Sequence, residues 1–178
     1  MINADAAERF MAAPWLKSAP DEIKRTILEA LAEERAPKGT ILLAQGQPND
    51  HLSFLIEGSV SIDRLSSNAR RDQITLLEAP TVFGATSFFQ PRPPQVTVEA
   101  ASDVWMLTLH HAAHEALRRD HPRAAEALAA AVLQALCERF DLIEKLFTDF
   151  IARHPDSPAE VTTEWSRFRS SLFEDQTF

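Results

Sequence analysis

Three histidines, His110, His111 and His114, form the pattern H-H-x-x-H. Imidazoles four residues apart on a helix share one face and could offer two nitrogens to a transition metal. A zinc site needs a third ligand, and a metalloprotease-type helix needs a glutamate beside its first histidine, where this chain has His111. The triplet therefore reads as surface histidines. The lone cysteine, Cys137, excludes an intrachain disulfide and has no histidine partner in a nucleophile pattern, so it reads as a small buried residue. No G-x-S-x-G turn and no glycine-rich nucleotide loop occurs. Catalysis has no candidate residues, and the chain reads as a non-enzyme. Two cationic features remain. Arg70-Arg71 falls in a polar stretch and reads as solvated surface. Arg92 sits in Gln90-Pro91-Arg92-Pro93-Pro94, where three prolines stiffen the backbone and could aim the guanidinium inward.

Composition limits the partners. The 178 residues are 45% hydrophobic and 25% charged, enough for one packed domain with appendages. A net charge of −8 gives no sequence-wide basic field for nucleic acid or anionic lipid. No stretch approaches the roughly 18 uncharged apolar residues of a membrane span, and no signal pattern opens the chain. Single-cysteine usage fits a reducing compartment, so the expectation is cytoplasmic.

The elements that would position these residues fall into four segments: an N-terminal helical segment at 1–36, a β region at 37–109, helices at 110–154, and a tail at 155–178. Residues 5–34 look helical. Ser18-Ala19-Pro20-Asp21 reads as a helix start with a serine cap, and Ile23, Ile27, Leu28 and Leu31 follow at helical spacing. All four glycines, Gly39, Gly46, Gly58 and Gly84, then lie within residues 39–100, between short apolar runs at 41–43, 52–56, 60–62, 74–77, 96–100 and 104–109. Strands at about ten-residue spacing with glycine turns predict an all-β roll, with a hairpin tip at 65–72. From His110 the period becomes helical: a short helix to Asp120, then a longer one with Asp120 as its cap and Pro122 in its first turn. On the long helix Leu133, Leu136, Phe140, Ile143, Phe147 and Phe150 step by three and four, an a/d seam of about two and a half heptads. A second row, Leu128, Val132, Leu142 and Leu146, widens the apolar face, so the helix is expected to pack on its own domain and on a partner. In the tail Val161, Trp165, Phe168 and Leu172 suggest a short amphipathic helix.

The frame G-x6-G-x11-G, with Phe54-Leu55-Ile56 before Glu57-Gly58-Ser59-Val60, resembles the cyclic-nucleotide-binding domain of catabolite-activator-type regulators and of cyclic-AMP-dependent kinase regulatory subunits. Phe83-Gly84 and Thr97-Val98-Glu99-Ala100 resemble the two ends of that family's phosphate-binding cassette, and the likeness covers roughly residues 10–150. It implies an α+β fold: an antiparallel jelly-roll β-barrel of β-roll, cupin-like type with an N-terminal helical segment and a long C-terminal helix. It also implies a homodimer through that helix. A ligand site is implied at Phe83, Gly84, Ala85, Thr86, Ser87, Arg92, Val96 and Thr97, for a cyclic nucleotide or other small anion.

In the family a glutamate directly after Phe-Gly accepts from the ribose 2′-hydroxyl, and an arginine further along neutralises the phosphate. Aligned without gaps, those positions are Ala85 and Pro94, and the usual Gly-Asp before Phe-Gly is Pro80-Thr81. A charge-assisted hydrogen bond contributes roughly 1.5–3 kcal/mol, so its loss weakens affinity about 10- to 100-fold. The sequence thus predicts a regulatory or sensor protein whose roll binds cyclic AMP weakly, or another small ligand. Two alternatives are an interaction module that kept the fold without the ligand, and a cupin-like metal enzyme, for which the β region has only His51. The regulators' winged helix does not fit the 24 residues after His154 in this 178-residue chain, so no nucleic-acid partner is expected.

Overall fold

The computed structural model describes residues 2–65, 70–153 and 163. The chain divides into two compact units, Met1–Leu133 and Gln134–Phe178. The first begins with α1 (Ala4–Ala12), a 3-10 turn (Pro14–Leu16) and α2 (Asp21–Glu29). Asn3 starts α1 by accepting a hydrogen bond from the Asp5 amide at 2.9 Å, and Asp5 pairs with Arg9 one turn on. The expected serine cap of α2 is not made. Its N-cap is Pro20 without a side-chain bond, and Asp21 and Glu22 supply the favourable first-turn charge instead.

Eight strands follow among the described residues: β1 (Ala32–Ala36), β2 (Ile41–Leu43), β3 (His51–Glu57), β4 (Ser59–Leu65), β5 (Arg71–Glu78), β6 (Thr81–Phe83), β7 (Thr97–Ala100) and β8 (Val104–His110). They form two four-stranded sheets, ordered β1-β8-β3-β6 and β2-β7-β4-β5, with antiparallel pairing throughout. The expected roll is therefore an open two-sheet one rather than a hydrogen-bonded closed barrel. Strand β1 corrects the N-terminal helical segment, which stops at Glu29. Its sequence, Ala-Glu-Glu-Arg-Ala, has no apolar alternation, and pairing with β8 makes it a strand. Glu33 accepts from the Trp105 indole N–H at 3.0 Å, and the Arg35 guanidinium lies 3.8 Å from the Trp105 ring centroid.

The core lies between the sheets. Leu43, Leu55, Val60, Phe83, Val98, Ala100, Val104 and Met106 pack there, each under one-tenth exposed. The other face of the β3–β8 pair is covered too: Phe54 meets Phe10 and Trp15 edge-on at 5.4 and 5.5 Å. That double burial explains why β3 and β8 read as near-continuous apolar runs. On the outside of the second sheet Arg71 bridges Asp63 at 2.7 Å and Glu99 at 2.5 Å, tying β5 to β4 and β7. Burial alone would raise the Asp63 carboxyl, but hydrogen bonds from Arg71 and Ser61 outweigh it and hold the group below the usual carboxylate range. Arg71 is thus a structural clamp rather than a merely solvated cation. Of the expected hairpin tip at 65–72, Leu65 ends β4 and Arg71 opens β5, while Ser66, Ser67, Asn68 and Ala69 lie outside the described residues.

Directly after β8 come α4 (His111–Asp120) and α5 (Pro122–Arg153), with the short cassette helix α3 (Ala85–Phe89) earlier between β6 and β7. Asp120 does not cap α5. Its carboxylate accepts from Arg119, and the His121 carbonyl takes the first amides, those of Ala124 and Ala125. Leu128 and Val132 are buried, while Leu133, Phe140 and Ile143 are 62%, 44% and 57% exposed and Leu136 is half-buried. The side chains of Leu142, Leu146, Phe147 and Phe150 lie outside the described set, as does the tail apart from Thr163. Cys137 is exposed, contrary to its reading as a buried residue.

Gly58 is the tightest turn position. Its φ is +88°, and a Cβ there would stand 2.3 Å from the Asp103 carbonyl oxygen. At Gly39, φ is +86° with open space around it. A left-handed L-residue costs about 1–2 kcal/mol by itself. Gly39→Ala should lose about that much in denaturant unfolding, and Gly58→Ala measurably more because backbone must move. Equal losses would show that the β8 approach does not constrain this turn.

Candidate functional site

The cassette begins at the end of β6, where Phe83 is buried against the core and Gly84 takes φ +84° to turn the chain into α3. A Cβ on Gly84 would stand 2.9 Å from the His51 carbonyl oxygen, so glycine is required by both conformation and space. The turn is held from across the sheet by Asn49. Its side-chain amide donates to the His51 carbonyl at 2.8 Å and to the Ser87 hydroxyl at 2.9 Å, with a longer contact to the Gly84 carbonyl at 3.4 Å. Ser87 in turn donates to the Gly84 carbonyl at 3.2 Å. Ser87 is buried and structurally engaged, which removes it as a free donor.

The other expected site residues divide. Ala85 is buried where the resemblance puts a glutamate, and Pro94 is buried where it puts the arginine, its carbonyl accepting from Gly46 N–H at 2.9 Å. Thr86 and Arg92 are exposed, and Val96 is half-buried. The Thr97 hydroxyl accepts from the Gln45 amide at 3.2 Å, joining the second end of the cassette to the loop after β2. The positions that the resemblance aligns with the family's glutamate and arginine thus hold buried, uncharged Ala85 and Pro94, and Arg92 is exposed.

Sequence reasoning missed a polar feature on the inner face of the first sheet. Ser53 and Thr108 stand opposite each other in the β3–β8 ladder, on the face that carries Leu55 and Met106 into the core. Both are 1% exposed, and neither hydroxyl has a hydrogen-bond partner among the described residues. An unpaired buried hydroxyl costs about 1–3 kcal/mol, so this is a place where a polar atom of water or ligand would be stabilised. Ser53 also pairs with Phe83, the first cassette residue.

The H-H-x-x-H pattern is split by the fold. His110 ends β8, outside α4, so it does not share a helical face with His114. The His110 ring lies 3.8 Å from Asp50 and 3.6 Å from Glu34, with Asp50 also 3.1 Å from His51. The hydrogen bond with His51 is the main cause holding the Asp50 carboxyl below its ordinary range. His111 stacks on Phe88 at 4.4 Å, and His114 packs against Phe88 and Phe89. Among the described residues no three His, Cys, Asp or Glu side chains are placed to share a metal ion. Nor is any helix there long and apolar enough to cross a membrane.

Residues 33–121 match the profile of the cyclic nucleotide-binding domain, which is half of the chain, and the chain belongs to that family. It is 27% identical over 118 residues to a CRP-like cAMP-activated global transcriptional regulator of Mycobacterium tuberculosis, covering 66% of this chain and 53% of the regulator. It is 31% identical over 108 residues to a cyclic nucleotide-gated potassium channel of Mesorhizobium japonicum, covering 61% of this chain and 28% of the channel. The chain thus spans about half the length of the regulator and less of the channel. Among solved structures, a cyclic nucleotide-binding domain from Methylobacillus flagellatus superposes with a TM-score of 0.71 at 20% identity, over 77% of this chain and 79% of that one. The N-terminal domain of a transcriptional regulator from Streptomyces coelicolor gives 0.64 at 26% identity, over 75% and 95%.

Asn49 is the residue whose loss should loosen the cassette turn at Gly84 and Ser87. Two good hydrogen bonds at about 0.5–1.5 kcal/mol each put Asn49→Ala at roughly 1–3 kcal/mol less stable. Hydrogen exchange should show α3 amides losing more protection than those of β8. A uniform loss would mean Asn49 braces the whole roll rather than the cassette.

Proposed function

We propose that this chain is a regulatory domain in which a small ligand enters the roll beside the cassette and biases a dimer-forming α5, with low affinity for cyclic AMP. The observation that carries this reading is the pairing of an intact cassette turn, Gly84 with its Asn49 brace, with neutral buried residues at Ala85 and Pro94. Without a counter-ion, a buried phosphate keeps an effective desolvation penalty of several kcal/mol. The unpaired hydroxyls of Ser53 and Thr108 support a ligand with a polar, weakly charged edge. Binding would act by population shift: a ligand that orders residues 83–96 in one state favours the α5 arrangement compatible with it. The homodimer is supported by the exposed seam residues Leu133, Phe140 and Ile143, which an isolated chain leaves in water. The same exposed seam would serve the second reading, an interaction module that works without ligand.

Calorimetry tests the site. Wild-type protein should give weak heats with cyclic AMP, and Ala85→Glu with Pro94→Arg should tighten binding at least about 10-fold by restoring the charge-assisted contacts. Wild-type affinity equal to that of the double variant would end the weak-binding reading. No heat with cyclic AMP or cyclic GMP in either protein would favour the interaction module.

Sedimentation equilibrium tests the seam. The wild type should run as a dimer and Phe140→Glu as a monomer, since a buried unpaired charge at an a/d position opposes association. A wild-type monomer at all concentrations would remove the dimer from the mechanism.

A further inference from the structure

A cleft of about 560 Å³ opens on the side of α3, between it, α4 and the first turns of α5. This volume falls in the range of small-molecule sites. One wall is aromatic: Phe89 is 39% exposed and stands edge-on to Phe88 at 5.2 Å. The facing wall is α5, which presents Pro122 and the methyl groups of Ala125 and Ala129, with Glu126 beside them. An aromatic face opposite alanines leaves a slot that suits a flat ring.

His114 makes the slot more than an apolar groove. It lines the cleft, is 9% exposed, and has no hydrogen-bond partner among the described residues; its contacts are the rings of Phe88 and Phe89. Burial, reinforced by the charge of Arg118 and by His111 and opposed by Glu115, lowers its pKa, so the ring is neutral near pH 7. A neutral imidazole carries one donor and one acceptor nitrogen. At the rim Arg118 is already paired with Glu115 at 3.0 Å, and Glu126 of α5 adds a further carboxylate. The charges facing the slot from α4 and α5 therefore give an anion no spare cation.

We propose that this cleft is a second ligand site, separate from the roll interior, that takes a neutral planar heteroaromatic molecule stacked on Phe89 and hydrogen-bonded to His114. Such a ligand would touch α3, α4 and α5 at once and so clamp the cassette helix against the start of the long helix.

Benzimidazole at pH 7.5 is a suitable probe: flat, uncharged there, with one N–H donor and one acceptor nitrogen. Titrated into ¹⁵N-labelled full-length protein, it should give saturable shifts centred on Phe89, His114, Ala125 and Ala129, with a Kd on the order of 1 mM for a fragment of this size. Ala129→Phe, an exposed helical position where folding is not at risk, should fill the slot and weaken binding at least 10-fold. His114→Phe keeps the packing volume but not the nitrogens and should weaken it several-fold to about 10-fold. Absence of saturable shifts at these residues, or binding unchanged in Ala129→Phe, overturns the site. Binding lost in Ala129→Phe but unchanged in His114→Phe overturns the hydrogen bond assigned to the imidazole.

Discussion

The structure depends on the β3–β8 pair being buried on both faces. One face meets the second sheet through Leu55 and Met106, and the other meets the N-terminal aromatic cluster through Phe54. A strand pair without a solvent face cannot shift register by one residue without moving a whole apolar set against the wrong layer. That fixes the positions of Asn49, at the entrance to β3, and of His110, at the exit of β8. The cassette turn is read from the first, and α4 starts from the second. The cassette and α4 are thus both attached to the doubly buried ladder.

The site follows from the same arrangement. The cassette is positioned by backbone shape and by one amide, not by charge. Asn49 reaches Ser87, 38 residues away in sequence, and Gly84 provides the close approach that allows it. None of the contacts that hold this turn involves the side chain of Ala85 or Pro94.

Much of the architecture was legible because its signals are local. A glycine with positive φ marks its own turn, and the double-faced burial of β3 and β8 appears as unbroken apolar runs. The 3-and-4 stepping of α5 needs only its own sequence. What was missed is non-local. Strand β1 has a composition suited to solvent or helix, and only its partner β8 makes it a strand. Asn49 carries no sequence pattern that foretells a cross-brace. The unpaired hydroxyls of Ser53 and Thr108 looked like ordinary strand residues until the register put them face to face. The histidine triplet is a related case: the strand–helix boundary falls between His110 and His111, and His114 is buried rather than a surface residue as its sequence suggests.

That boundary has a mechanical corollary. The His111 amide donates to the Asp50 carbonyl at 2.9 Å, pinning the peptide at which strand becomes helix. On one side of the pin the His110 ring sits among Asp50 and Glu34 at the mouth of the roll. On the other side the His111 ring lies flat on Phe88. Adjacent residues of the chain, flanking one hydrogen-bonded peptide, thus join the Asp50–Glu34 charges to the aromatic face of Phe88.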